Sequence, residues 1–162
     1  MDTKKILITG SGAAGKTALV HRFLLGAFGA PPAPAIGLKV DKKEVVTDGH
    51  RLALILWDLK GELSQEKVPR TYFLGASAVV YVLDLSRSDN RRNQEAGLAL
   101  IRRLLPGCLV RVVGNKKDLL SGEELQALEK EPRADIYTSA RTGENVDALF
   151  LGIGQELAGM SN

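Results

Sequence analysis

A glycine-rich run, Gly10-Ser11-Gly12-Ala13-Ala14-Gly15-Lys16-Thr17, stands where an apolar stretch gives way to a helical pattern. A polyphosphate is best held by backbone N–H groups fanned around a helix N-terminus, where small side chains let the chain close around it. Lys16 can then reach the outer phosphates, and the Thr17 hydroxyl can ligate Mg²⁺. Downstream, Asp58-Leu59-Lys60-Gly61 follows the apolar run Leu52 to Trp57. A carboxylate leaving a strand at that point emerges at the sheet edge where ligands of open α/β folds bind. Asp58 can hold a metal-bound water there, and Gly61 can offer its N–H to a terminal phosphate.

Two later segments have the chemistry to read a base. Asn115-Lys116-Lys117-Asp118 follows another apolar run. An ionised Asp accepts from two adjacent N–H groups, and guanine presents N1–H and N2–H₂ side by side. Adenine has a lone pair at N1 and no 2-amine, so the same carboxylate rejects it. Asn115 can tie this loop to the phosphate loop, and the Lys116 stem can lie over the flat base. Thr138-Ser139-Ala140-Arg141 adds small residues that let a backbone N–H approach the base carbonyl.

These segments need elements to position them. The chain alternates strand and helix patterns, which predicts a mostly parallel sheet covered on both faces. Strands are expected at Lys5 to Thr9, Leu38 to Thr47, Arg51 to Asp58, Ala78 to Leu83, Leu109 to Gly114 and Asp135 to Tyr137. Asp48-Gly49 marks a hairpin turn, and the charges of Lys39, Asp41, Lys42, Lys43 and Glu44 suit an edge strand defended against unwanted pairing. Helices are expected at Lys16 to Leu25, with Leu19, Val20, Phe23 and Leu24 on one face, and at Arg92 to Leu105. A capping box at Ser121-Gly122-Glu123-Glu124 opens a third, and Val146, Leu149, Phe150, Ile153 and Leu157 stripe a fourth. The prolines and glycines between Gly26 and Gly37 make that stretch a loop.

Size and composition agree with such a plan. At 162 residues the chain suits one domain spanning 1–162, and 25% charged and 44% hydrophobic residues are ordinary for a globular protein. A formal charge of +3 does not mark a nucleic-acid binder. One cysteine, Cys108, excludes an internal disulfide and fits a reducing cytoplasm; its apolar neighbours suggest a buried thiol. The N-terminus carries no apolar leader, the longest apolar run is too short to cross a bilayer, and no lipidation motif is visible, so a cytoplasmic protein without a membrane anchor is expected. His21 and His50 lack metal-ligating neighbours, and Trp57 reads as core packing.

Together the motifs resemble the Ras-like small GTPases over about Lys4 to Leu157. Pro34-Ala35-Ile36-Gly37 and Thr138 through Val146 give the resemblance a Rab-like cast, and the short, trimmed chain suggests a prokaryotic relative. The resemblance implies an α/β, three-layer P-loop NTPase fold: a mostly parallel six-stranded sheet with one antiparallel edge strand and helices on both faces. It implies GTP/GDP and Mg²⁺ as ligands, soluble protein regulators and effectors as partners, and a molecular switch that hydrolyses GTP slowly without help. Residue by residue, it implies phosphate contacts from Gly12, Ala13, Ala14, Gly15, Lys16, Thr17 and Ala18 and metal ligation by Thr17 and Asp58. Asn115, Lys116, Asp118, Ser139, Ala140 and Arg141 fall in its base site, and Lys16, Gly61 and Glu62 in its catalytic set. Phe28 falls where the family stacks an aromatic on guanine, although it could equally anchor the core.

The sequence also departs from the family. The threonine that normally precedes Ile-Gly in the first mobile loop is Ala35, and no Ser or Thr occurs from Ala18 to Val46 to replace it. Losing that hydroxyl weakens the loop's preference for GTP, the differential affinity that drives a switch. The catalytic glutamine is Glu62, which can accept from water but cannot donate to developing charge when ionised. It is read either as a general base or as a surface charge. Lys60 replaces a small residue and either faces the phosphates or points to solvent. The alternative reading is therefore a guanine-nucleotide-binding interaction module with weak or lost hydrolysis. A nucleoside kinase on the same phosphate loop would have no use for a guanine-reading Asp118.

Overall fold

A computed structural model of the chain describes residues 1–11, 14–28, 38–59, 69–87 and 91–160. In chain order it contains β1 (Asp2–Gly10), α1 (Lys16–Leu25), β2 (Leu38–Thr47), β3 (His50–Leu59), β4 (Ala76–Asp84), α2 (Arg91–Leu104), β5 (Leu109–Asn115), α3 (Gly122–Lys130), β6 (Ile136–Tyr137) and α4 (Val146–Met160). The strands form one six-stranded sheet in the order β2-β3-β1-β4-β5-β6. Only the β2–β3 pair is antiparallel among these, joined at Asp48-Gly49 with Thr47 opposite His50. β2 therefore lies at the sheet edge, as its run of charges requires.

Strand periodicity divides the core into two layers. Ile6 and Ile8 of β1 and Ala78, Val80 and Val82 of β4 face one side, where they pack with Leu19, Val20 and Phe23 of α1 and Phe150, Ile153 and Leu157 of α4. Leu7, Val79, Tyr81 and Leu83 face the other side and meet Leu98 and Ile101 of α2. The apolar stripe expected for the final helix is buried throughout, and Phe150 stacks on Phe23 with ring centroids 4.4 Å apart. This contact fixes α4 against α1.

The sequence-based element boundaries hold to within a few residues, and α1 has the expected limits. Packing differs in three places. β5 is only half-buried over Leu109–Val112, because the two-residue β6 pairs with it only at Val113 and Gly114. Trp57 is half-buried at the margin of the second layer, its ring covered by the Lys5 ammonium at 3.6 Å and met edge-on by Tyr72. Cys108 is also only half-buried. No helix among the described residues is long and apolar enough to cross a membrane.

Candidate functional site

Because β1, β3, β4, β5 and β6 run parallel, their C-terminal ends share one sheet edge. Gly10, Asp58, Asp84, Asn115 and Thr138 all arrive there, with Ile8 in register with Asp58 and Asp84 in register with Asn115. Each is the last polar or small residue of an apolar strand, or lies just beyond one. A parallel sheet thus gathers residues distant in sequence with no further design.

At the phosphate end, Gly15 precedes α1 with φ 85°, a conformation that disfavours a side chain. A methyl group built on Gly15 would lie 2.7 Å from Asn115 Nδ2 and 3.8 Å from Lys116 Cε, so this glycine also clears the approach of the base loop. Lys16 is buried and its ammonium donates to the Ser11 carbonyl at 2.7 Å, which curls the side chain back over the loop. Thr17 donates through Oγ1 to Asp58 Oδ2 at 2.9 Å, and Asp58 is fully buried. Mg²⁺ commonly takes one or two protein oxygens beside substrate phosphate and water. The Thr17 hydroxyl and Asp58 carboxylate are a donor pair of that kind. Among the described residues there is no cluster of three or more His, Cys, Asp or Glu that would cage a metal alone.

Asn115 joins the two ends. Its Nδ2 donates to the Ala14 carbonyl at 2.9 Å, while its Oδ1 accepts from Thr138 Oγ1 at 3.1 Å and from the Ala140 N–H at 3.3 Å. The expected tie between base loop and phosphate loop is present, and it extends to the segment after β6. Asp118 is exposed, and Ser139 Oγ donates to its Oδ1 at 2.8 Å. Ser139 and Ala140 are buried, Arg141 is exposed, and Ala18 packs against the core. Phe28 is 53% exposed at the C-terminal side of α1, not in the core.

Lys116 adopts φ 68°, ψ 33°, a left-handed conformation that costs a non-glycine residue free energy and recurs at functional turns. Its ammonium pairs with Asp84 Oδ2 at 2.9 Å. Asp84 also accepts from the Ser86 N–H at 2.9 Å and the Ser86 hydroxyl at 2.5 Å. Burial alone would raise the Asp84 carboxyl, but the Ser86 and Lys116 hydrogen bonds and the Lys116 charge hold it below the usual carboxylate value. Sequence reasoning missed Asp84. The available signal was the one that found Asp58, a carboxylate closing an apolar strand.

Gly12, Ala13, Ala35, Lys60, Gly61 and Glu62, and with them the expectations for the first loop and for position 62, lie outside the described residues.

A parallel-sheet edge carrying a phosphate loop, a hydroxyl–carboxylate pair and an Asn-Lys-Lys-Asp turn defines a nucleotide-binding α/β protein. The Ras family profile matches residues 5–158, and the chain belongs to that family of small GTPases, which bind guanine nucleotides. Similar proteins include the Ras-related protein Rab-4B of Rattus norvegicus and of Homo sapiens. Each is 33% identical over 154 residues, covering 91% of this chain and 72% of the relative. The Ras-related protein Rab-36 of Homo sapiens is 31% identical over 160 residues, covering 93% of this chain and 60% of the relative.

Proposed function

We propose that residues 1–162 act as one G domain that binds GTP and GDP with Mg²⁺ and hydrolyses GTP slowly, as a cytoplasmic switch read by soluble protein partners. The observation that carries this reading is the buried Asn115 amide, which bonds the phosphate loop at Ala14 and the base-side segment at Thr138 and Ala140. Phosphate and base contacts are thereby held in one frame.

In this reading Gly12 to Ala18 cradle the phosphates, and Lys16 exchanges its Ser11 carbonyl for phosphate oxygens. Asp118 accepts from guanine N1–H and N2–H₂. Lys116, Ser139, Ala140 and Arg141 line the base, and Phe28, already outside the core, stacks on it. Thr17 and Asp58 hold Mg²⁺, which when bound neutralises charge on the phosphate oxygens. Gly61 donates its N–H to the terminal phosphate, and Glu62 orients the attacking water.

Single-turnover GTP hydrolysis with protein in excess tests the reading. Wild type should form GDP slowly, and Lys16→Ala should form none above background. Glu62→Gln restores an amide donor and should raise the rate if position 62 touches the water. GTP that stays bound and intact in wild type favours the second reading, an interaction module with lost hydrolysis, to which Ala35 and Glu62 give support. Base reading has its own check. Asp118→Asn places a donor where an acceptor stood and should trade guanine for xanthine, which carries oxygen at C2.

A further inference from the structure

We infer that Arg22 is a positioning residue for the guanine-reading carboxylate, linking the phosphate-binding helix to base selectivity. This rests on the guanine-nucleotide reading above and assigns a further residue to that site.

Arg22 lies near the C-terminal end of α1, the helix that begins with Lys16 and Thr17. Its Nη2 donates to the Thr142 carbonyl at 2.9 Å, across a sequence separation of 120 residues. The peptide unit that accepts this bond also donates, because its N–H belongs to Gly143 and bonds the Ser139 carbonyl at 2.8 Å. The Thr142 N–H donates to Ser139 Oγ at 3.1 Å, and Ser139 Oγ donates to Asp118 Oδ1 at 2.8 Å. The Arg22 guanidinium therefore braces residue Thr142 at its carbonyl, while the N–H on the other side of the same residue reaches Asp118 through Ser139 Oγ. Holding Thr142 in place fixes the direction of its N–H toward Ser139 Oγ, and with it the hydroxyl that bonds Asp118.

Gly143 makes the contact possible. Its φ is +88°, and a methyl group built on it would lie 2.5 Å from Arg22 Nη2 and 2.8 Å from Nε. The guanidinium occupies the space that a side chain at 143 would fill. Arg22 is half-buried and lines an open cavity of about 400 Å³ between the end of α1 and the start of α4, beside Lys43 and Asp147. Truncating it enlarges a solvent-accessible space and empties no core, so the fold should survive.

This link acts on the Thr142–Ser139 segment that orients Asp118, at the base side of the site. Removing its origin should loosen the carboxylate's grip on the guanine 2-amine. The discriminating readout is the ratio of affinities for GDP and IDP, since hypoxanthine keeps N1–H and lacks the 2-amine. Thermal stability is measured in parallel. Arg22→Ala should shrink the GDP:IDP ratio by about 3- to 10-fold, through weaker GDP binding, with the melting temperature nearly unchanged. Arg22→Lys, which keeps one donor, should recover part of the ratio. Leu25→Ala, an exposed change on the same helix, should leave the ratio alone.

Gly143→Ala approaches the same contact from the other side. It should shrink the ratio by itself and add little to Arg22→Ala in the double variant, because both break one interaction. Should Gly143→Ala fail to fold, the Arg22 series decides alone. An unchanged GDP:IDP ratio in Arg22→Ala overturns the inference, as does an equal loss of GDP and IDP affinity, which marks a merely structural role. A wild-type protein that binds IDP as tightly as GDP would instead defeat the guanine reading itself, and the inference with it.

Discussion

Asp84 is a buried carboxylate that meets the candidate site through Lys116. It closes β4, takes the Lys116 ammonium at 2.9 Å, and lets a lysine with left-handed backbone hold one geometry. Asp84→Ala should raise the GDP dissociation rate about 5- to 50-fold, since it leaves Lys116 without that acceptor. Asp84→Asn keeps a hydrogen-bonding carbonyl and should cost less. The sign of the pH effect follows from the lowered carboxyl. Its stabilising contribution is fully present above the ordinary Asp value of 3.8 and is lost only as pH falls through the lower folded value. The stability gap between wild type and Asp84→Asn should therefore be flat from neutral to mildly acid pH and close only below about that value, as denaturant titrations at stepped pH would show. At Cys108 burial pushes the thiol above its ordinary 9.0, which suppresses thiolate. Iodoacetamide at pH 8 should label it at least about tenfold more slowly than a free thiol, followed by intact-mass measurement. Asp118 and Lys16 were singled out from residue type and spacing. Asp84 carried the same strand-closing signal as Asp58, but its pairing with Lys116, like that of Arg22 with Thr142, was not legible, because those partners lie far off in sequence.

Ser121 caps α3 with a reciprocal box, its side chain accepting from the Glu124 N–H while the Glu124 carboxylate accepts from the Ser121 N–H. Ser121→Ala should cost about 1 kcal/mol, or about 2–4 °C in melting temperature, with hydrolysis unaltered. Phe150 is fully buried and stacked on Phe23, so Phe150→Ala should cost about 3–5 kcal/mol in a denaturation titration and loosen α1 against α4. Both features are local or periodic, and so visible in sequence: a cap is a four-residue pattern, and an apolar stripe repeats along one helix. The half-burial of β5 was not visible. Its apolar run Leu109 to Val113 gives no hint that the neighbouring strand is only two residues long.

At the scale of the molecule, the parallel sheet brings the described site segments to one edge, and Asn115 bonds three of them together. Asn115→Ala removes a buried donor and a doubly used acceptor, stranding the Ala14 carbonyl and the Thr138 hydroxyl. It should destabilise the protein by about 1–3 kcal/mol and weaken GDP and IDP binding together, measured by calorimetry. That uniform loss contrasts with the selective loss expected at Arg22, because Asn115 holds the whole frame and Arg22 only its base end. The sequence by itself determined the family, the strand–helix order and the short motifs from which the phosphate and base sites are proposed. Each depends on neighbouring residues or short periods, which a linear string preserves. Only the tertiary structure decided which carboxylate holds Lys116, which arginine braces Thr142, and why residue 143 must be glycine. Those outcomes depend on where separate strands and helices come to rest against one another, and no local pattern encodes that placement.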